Sequence, residues 1–203
     1  MKALIACEFS GIVREAFKAR GHDAWSCDLL DAEIPGQHIV GDVLEILNDG
    51  WDLMIAHPPC TYLSYAANHC WNAPGREEKR QEAMKFFMDL YNAPIEKVCI
   101  ENPVGLPCKE FRKADQIIHP YYFGESAMKR TCLWLRGLNK LVFTFKDNLF
   151  GAASAVPPPD PIYSTDRGNG IIKKRHWTEA NHGGHSRSKT FQSFANAMAE
   201  QWG

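Results

Sequence analysis

The sequence predicts an α/β protein built on a doubly wound, mostly parallel sheet of seven strands. Three observations carry that expectation. Short apolar runs alternate with stretches of helical periodicity along the chain. The first run, a glycine-containing turn, a helix and a second run ending in an acid make a βαβ unit of nucleotide-binding type. Run after run then ends on a chemically capable residue, and in open α/β sheets the carboxyl ends of the strands are where chemistry sits.

Taken in order, Ala3 to Ala6 is a short strand that ends in Cys7-Glu8-Phe9-Ser10-Gly11. Ile12, Val13, Ala16, Phe17 and Ala19 recur at near-helical spacing, with Ser10 as the expected N-cap and Gly21 as the closing glycine. His22 to Cys27 reads as the second strand and runs into Asp28. His38 to Val40 is a short third strand before Gly41-Asp42, followed by a small helix from Val43 to Leu47. Trp51 to Ala56 is a buried fourth strand, stopped by Pro58-Pro59, whose fixed φ makes a stiff turn in front of Cys60. Tyr65 to Gly75 has no period and reads as a mobile loop over the Cys60 end. Arg76 to Asn92 is the clearest helix, with Ala83, Phe86, Phe87, Leu90 and Tyr91 as its apolar stripe. Glu96 to Ile100 is a fifth strand leading into Glu101-Asn102-Pro103. Gly105 to Arg112 reads as irregular, Gln116 to His119 and Thr131 to Leu135 as further strands, and Leu141 to Phe145 as a candidate one. Gly151 to Gly170 reads as a surface loop and Thr190 to Trp202 as the closing helix.

The bulk properties narrow the function classes. At 203 residues the chain is long enough for one full core, and 45% hydrophobic with 23% charged residues is ordinary globular composition. It has no apolar run of membrane-spanning length and opens without a signal-peptide pattern. The seven cysteines are odd in number and include no Cys-x-x-Cys pair, which argues for a reducing, cytoplasmic setting and against a disulfide framework or a cysteine-based zinc site. His176, His182 and His185 have no cysteine or acid at ligand spacing, so no metal is expected. A net charge of -1 leaves any nucleic-acid surface local. The segment 167–189 is the candidate: Lys173, Lys174, Arg175 and Arg187 stand among Trp, His and Gly, a mixture that suits phosphate and base contact.

Phe-x-Gly after the first strand, an acid after the second, Gly-Asp after the third, Pro-Pro-Cys after the fourth and Glu-Asn after the fifth come in that order. With a Lys-Arg turn before a strand and a closing helix, the chain resembles the DNA cytosine-5 methyltransferases, in particular short phage-type members. The resemblance implies a class I S-adenosylmethionine-dependent methyltransferase fold of Rossmann-like type in one domain, 1–203. A small loop-rich insertion at about 137–189 stands in place of a target-recognition domain. It implies Cys60 as the thiolate that adds to carbon 6 of cytosine, Glu101 with Asn102 as the pair that meets the ring's nitrogen edge, and Arg130 near them. Ser64 and Lys129 are implied as substrate contacts. Phe9, Ser10, Gly11, Asp28, Leu29, Asp42, Val43 and Pro58 are implied around S-adenosylmethionine. The implied partner is DNA with its target cytosine flipped out, or a free pyrimidine nucleotide, in a bacterial or phage-infected cytoplasm with no membrane partner. A catalytically silent nucleic-acid-binding protein of the same fold is the alternative from another class. Amino-nitrogen methylation is disfavoured because His57 and Cys60 stand where that chemistry uses Asn or Asp and an aromatic. Four departures are visible: Val13 for the second glycine of the first motif, Pro103 after Glu-Asn, Cys132 for a second arginine, and the short 137–189 region.

Overall fold

The computed structural model describes residues 1–65, 71–143, 158–161, 163–166, 172–175 and 189–203. Its elements are β1 (Lys2–Ala6), α1 (Ile12–Lys18), β2 (Asp23–Asp28), β3 (His38–Val40), β4 (Leu53–Ala56), α2 (Arg76–Tyr91), β5 (Lys97–Asn102), α3 (Leu106–Glu110), β6 (Gln116–Ile118), β7 (Thr131–Arg136), β8 (Tyr163–Asp166), β9 (Ile172–Arg175) and α4 (Gln192–Trp202). Two 3-10 turns, Val43–Ile46 and Pro120–Phe123, lie between them.

Seven strands form one sheet in the order β3-β2-β1-β4-β5-β7-β6. The pairs β1–β2, β2–β3, β1–β4 and β4–β5 are parallel, and β7 runs antiparallel to both β5 and β6. The chain thus winds outward from β1 to β3, returns to the other side of β1 with β4, and winds outward again. The strand order reverses between β1 and β4, and that switch point opens a crevice beyond their carboxyl ends.

Side chains alternate across the sheet as the period of two demands. Ala3, Ile5, Leu53 and Ile55 face one layer with Phe17 of α1 and Phe194, Met198 and Trp202 of α4. Leu4, Ala6, Met54 and Ala56 face the other with Phe87 and Leu90 of α2 and Trp134 of β7. Helices therefore cover both faces, which is why β1 and β4 are apolar without alternation. Phe17, Phe87 and Trp134 are fully buried, and truncating one such ring to alanine costs about 3–5 kcal/mol.

Several expectations are corrected. Leu106–Glu110 is helical where an irregular segment was expected, because Pro107 sits in its first turn, where a missing N–H costs nothing. Leu141–Phe143 is not a strand; Leu141 is instead held by Gln116 through bonds of 2.8 Å at both its N–H and its carbonyl. Within the expected 151–170 loop, Tyr163–Asp166 is a strand that pairs antiparallel with Ile172–Arg175. Of the expected Tyr65–Gly75 loop, residues 66–70 lie outside the described residues; at Trp71, Arg80 donates to the backbone carbonyl at 2.5 Å and stacks over the ring at 4.3 Å. Among the described residues no helix is long and apolar enough to cross a membrane.

Candidate functional site

A cleft of about 300 Å³ opens at the switch point, lined by Cys7, Cys27, Asp28, Leu29, Gly41, Asp42, Val43, Pro59 and Phe86. Two parallel strands, β2 and β3, deliver the acidic side of it. Asp28 ends β2, Asp42 follows β3, and each spends one oxygen on its own turn: Asp28 Oδ1 accepts from Leu30 N at 3.1 Å, Asp42 Oδ1 from Leu44 N at 3.0 Å. Cys7 follows β1 with φ +56, the one non-glycine in the left-handed region among the described residues, a conformation that costs on the order of 1–3 kcal/mol and clusters at functional sites. Burial, then the charges of Asp28 and Asp42, push Cys27 up to about 11, and burial followed by Asp28 raises Cys7 further still. The floor of the cleft is thus two protonated thiols, its rim carries two carboxylates, and Leu29, Val43, Pro59 and Phe86 supply apolar walls.

The turn after β1 is internal rather than part of those walls. Ser10 is buried, and Gly11, at φ +78, is so close to Arg14 that a Cβ would lie 2.8 Å from Nη2. Ser10 was the expected N-cap of α1, but Gly11 occupies that position and the cap is Glu8. Its carboxylate accepts from Val13 N at 2.7 Å, from Arg14 N at 3.4 Å and from Ser10 Oγ at 3.1 Å. Arg14 is fully buried and ties this turn to its surroundings, donating to Ser26 Oγ at 2.9 Å and to the Ile34 carbonyl at 2.5 Å. Phe9 is half-buried, with its carbonyl accepting from Glu33 N at 2.8 Å. The space that a second glycine would open is filled, since Val13 is wholly buried in the core.

Three consecutive residues after β4 go to three places. Pro58 is buried, and its carbonyl accepts from Asn102 Nδ2 at 2.8 Å. Pro59, rather than the expected Pro58, lines the cleft. Cys60 is exposed and starts a turn in which Leu63 N and Ser64 N both bond its carbonyl, at 3.1 and 2.9 Å. That turn is stapled to the segment after β5 by Leu106 N to Leu63 O at 2.8 Å and by a bridge between Ser64 and Gly105. A Cβ on Gly105 would lie 1.9 Å from the Leu63 carbonyl oxygen, so the approach demands glycine.

Glu101 sits on the same rim because Ala56 and Ile100 are in register, so His57, just past the end of β4, and Glu101, the next residue of β5, come side by side. His57 follows Ala56, and its Nδ1 lies 3.1 Å from Glu101 Oε2 with both side chains largely buried. Burial alone would raise the Glu101 carboxyl; the Lys129 charge, the His57 contact and a Thr131 hydrogen bond overcome it and hold the carboxyl at about 2. Lys129, expected as a substrate contact, is the first of the groups that lower the Glu101 carboxyl. Arg130, expected beside it, is exposed, and its charge acts on His119 and Cys132. Lys173, Lys174 and Arg175 lie on β9, and Arg187 lies outside the described residues.

The residues singled out in advance thus divide. Asp28, Leu29, Asp42 and Val43 come together in the cleft, and Cys60, Ser64, Glu101 and Asn102 at the neighbouring rim; Phe9, Ser10 and Gly11 brace the turn between. Cys7, Cys27, Gly41, Pro59 and Phe86 were missed as cleft residues, and His57 as the partner of Glu101. A period-two reading of β1 and β2 could have found the two cysteines, since each is the residue where its strand meets the crevice. No family model matches the chain, and neither does any curated protein sequence.

Proposed function

We propose that this protein is an S-adenosylmethionine-dependent methyltransferase that modifies carbon 5 of cytosine in DNA, with Cys60 as the nucleophile. The observation that carries the reading is the division of labour at Pro59-Cys60: one residue walls an anionic cleft while the next is exposed on the rim that Glu101 shares.

The cleft's chemistry supports an adenosyl ligand without phosphates. Among the described residues no lysine or arginine lines it, and Asp28 and Asp42 would repel a pyrophosphate. The N-terminus of α1, where a dinucleotide fold places its phosphate, is already filled by the Glu8 carboxylate. An adenosyl group fits: its ribose diol suits the second oxygen of Asp28, its exocyclic amine suits Asp42, and its sulfonium suits two nearby negative charges. Leu29, Val43, Pro59 and Phe86 would pack the purine. When bound, S-adenosylmethionine supplies an electrophilic methyl group.

The chain's own residues then have defined tasks. The Cys60 thiolate adds to carbon 6, and the displaced π electrons make carbon 5 nucleophilic. Glu101 meets the N3 and amine edge and stabilises the charge that develops there. Asn102 holds the Pro58 carbonyl, which ties the turn leading to Cys60 to the residue after Glu101. After transfer, the carbon 5 proton leaves and the thiolate is eliminated.

The test incubates the protein with methyl-labelled S-adenosylmethionine and either cytosine duplex or dCMP. Label in DNA that disappears in Cys60→Ser supports the reading. A second reading, transfer to a free pyrimidine nucleotide, is favoured by one observation: between β7 and α4 the described residues add only the two-stranded β8–β9 hairpin. Label in dCMP alone would select it.

A further inference from the structure

Resting on that reading of Cys60 and Glu101, we infer that His57 is a positioning residue that stores the proton cytosine N3 needs, and passes it through Glu101. The structural basis is a buried pair on adjacent strand ends. His57 is held by its backbone N–H to the Ala6 carbonyl at 2.9 Å, and its Nδ1 meets Glu101 Oε2 at 3.1 Å. Its side chain is 7% exposed and that of Glu101 13%, so the contact is shielded from solvent. The other ring nitrogen, Nε2, is buried without a hydrogen-bond partner among the described residues.

The chemistry explains why a proton store is needed. Cytosine offers an acceptor at N3 and a donor at its amine, so a carboxylate alone matches the amine and faces N3 lone pair to lone pair. Glu101 is ionised near neutrality, with Lys129 and Thr131 also favouring the anion. Cys99 and Cys132 are buried thiols that feel the same charge and stay protonated. His57 is the imidazole in hydrogen-bond contact with Glu101, and a ring nitrogen at that distance can pass a proton to the carboxylate. As the Cys60 sulfur bonds to carbon 6, the carbon 5–carbon 6 π pair shifts toward N3. N3 takes a proton from the Glu101 carboxyl, which takes one from His57 Nδ1. The imidazolium becomes imidazole, Glu101 returns to carboxylate, and elimination of Cys60 sends the proton back.

Single-turnover methyl transfer is measured against pH for the wild type and for His57→Gln, whose amide can donate to Glu101 but cannot titrate. The wild-type rate should pass through a maximum set by two apparent values, one belonging to Cys60 and one to the coupled pair. His57→Gln should fall about 10²-fold, in the range of a lost general acid, and keep a single limb. Imidazole titration of wild-type His57 by NMR should coincide with one limb of the wild-type profile, a comparison that needs no variant, and His57→Gln, where it folds, should lose that same limb. A variant with both limbs intact, or a His57 titration that matches neither limb, overturns the inference while leaving the methyltransferase reading in place. Absence of any Cys60-dependent transfer in the wild type overturns both.

Discussion

Gly105 provides the sharpest test of how the rim is held together. Replacing it with alanine puts a methyl carbon 1.9 Å from the Leu63 carbonyl oxygen, 2.7 Å from the Leu63 carbonyl carbon and 3.0 Å from the Ser64 Cα. All three are backbone atoms, so no side chain can swing aside. Ordinary contact would require a separation more than an ångström greater, and the 2.8 Å bond from Leu106 N to Leu63 O would not survive it. Overpacking of this kind costs about 1–3 kcal/mol, and the lost hydrogen bond about 1 kcal/mol more. The resulting loss, about 2–4 kcal/mol, should appear in urea unfolding as a lower midpoint at unchanged slope. The functional effect should be larger than the stability effect suggests. Leu63 and Ser64 lie in the turn that begins at Cys60, and a displacement of about 1 Å at a reacting group costs about 10²-fold in rate. Gly21→Ala is the control: its φ of +82 makes alanine strained, but nothing lies within 4 Å of the new Cβ. It should lose about 1 kcal/mol and keep the transfer rate. A Gly105→Ala protein with wild-type midpoint and rate would refute the claim that the staple positions Cys60.

Other predictions follow from single groups. Asp28→Ala and Asp42→Ala should each weaken S-adenosylmethionine binding about 10-fold or more, as loss of a charged hydrogen bond does, when followed by calorimetry; NADH should not bind the wild type. The Glu101 carboxyl is held at about 2 against an ordinary 4.5, so its stabilisation is present above about pH 4.5 and is lost as pH falls toward 2. That shift corresponds to roughly 3 kcal/mol, and Glu101→Gln should flatten the acid limb of stability measured by urea midpoints between those pH values. Arg14→Met leaves the Ile34 carbonyl without its donor and Ser26 Oγ with His38 alone, and should cost about 1–3 kcal/mol, read as a lower unfolding midpoint.

Much of the sheet was legible because burial on both faces writes itself as short apolar runs, and β1, β2, β4 and β5 lie within a residue or two of their expected bounds. Strand direction was not legible: Thr131–Arg136 has the same apolar look as β4, and nothing local says that it runs antiparallel between β5 and β6. The site divides along the same line. Asp28 and Asp42 were readable because they end strands, a property of neighbours in sequence. Pro58 and Pro59 were not separable, because both are prolines in one turn and what parts them is an amide 44 residues away. His57 was read as a negative feature, a residue that amino methylation would not use. Its contact with Glu101 depends on the β4–β5 register, which periodicity does not carry. Glu8 was passed over for the same reason that Ser10 was favoured. Serine is the common N-cap, and a glutamate reaching forward five and six residues to cap a helix has no short-range signature.

The Glu8 cap also bears on why this opening βαβ unit should take one class of ligand rather than another. A bare helix N-terminus with a glycine-rich turn is an anion site by default. Here the anion is built in, buried, and bonded to two of the N–H groups a phosphate would use. The turn is filled as well, by the Arg14 guanidinium packed against Gly11 and by the buried Val13 side chain. Substituting Glu8 with glutamine would test the point directly, since it keeps the size and one acceptor but removes the charge. It should cost stability by about 1–2 kcal/mol through the weakened cap. It should also bring inorganic phosphate or a nucleoside diphosphate measurably closer to binding, because the repulsion at the helix end is gone. An unchanged indifference to phosphate would mean that Asp28 and Asp42 alone exclude it, which a paired Asp28→Asn, Asp42→Asn variant would then reveal. Either result identifies which carboxylates make the crevice beside Cys60 hostile to phosphate, and so which residues set the class of ligand held there.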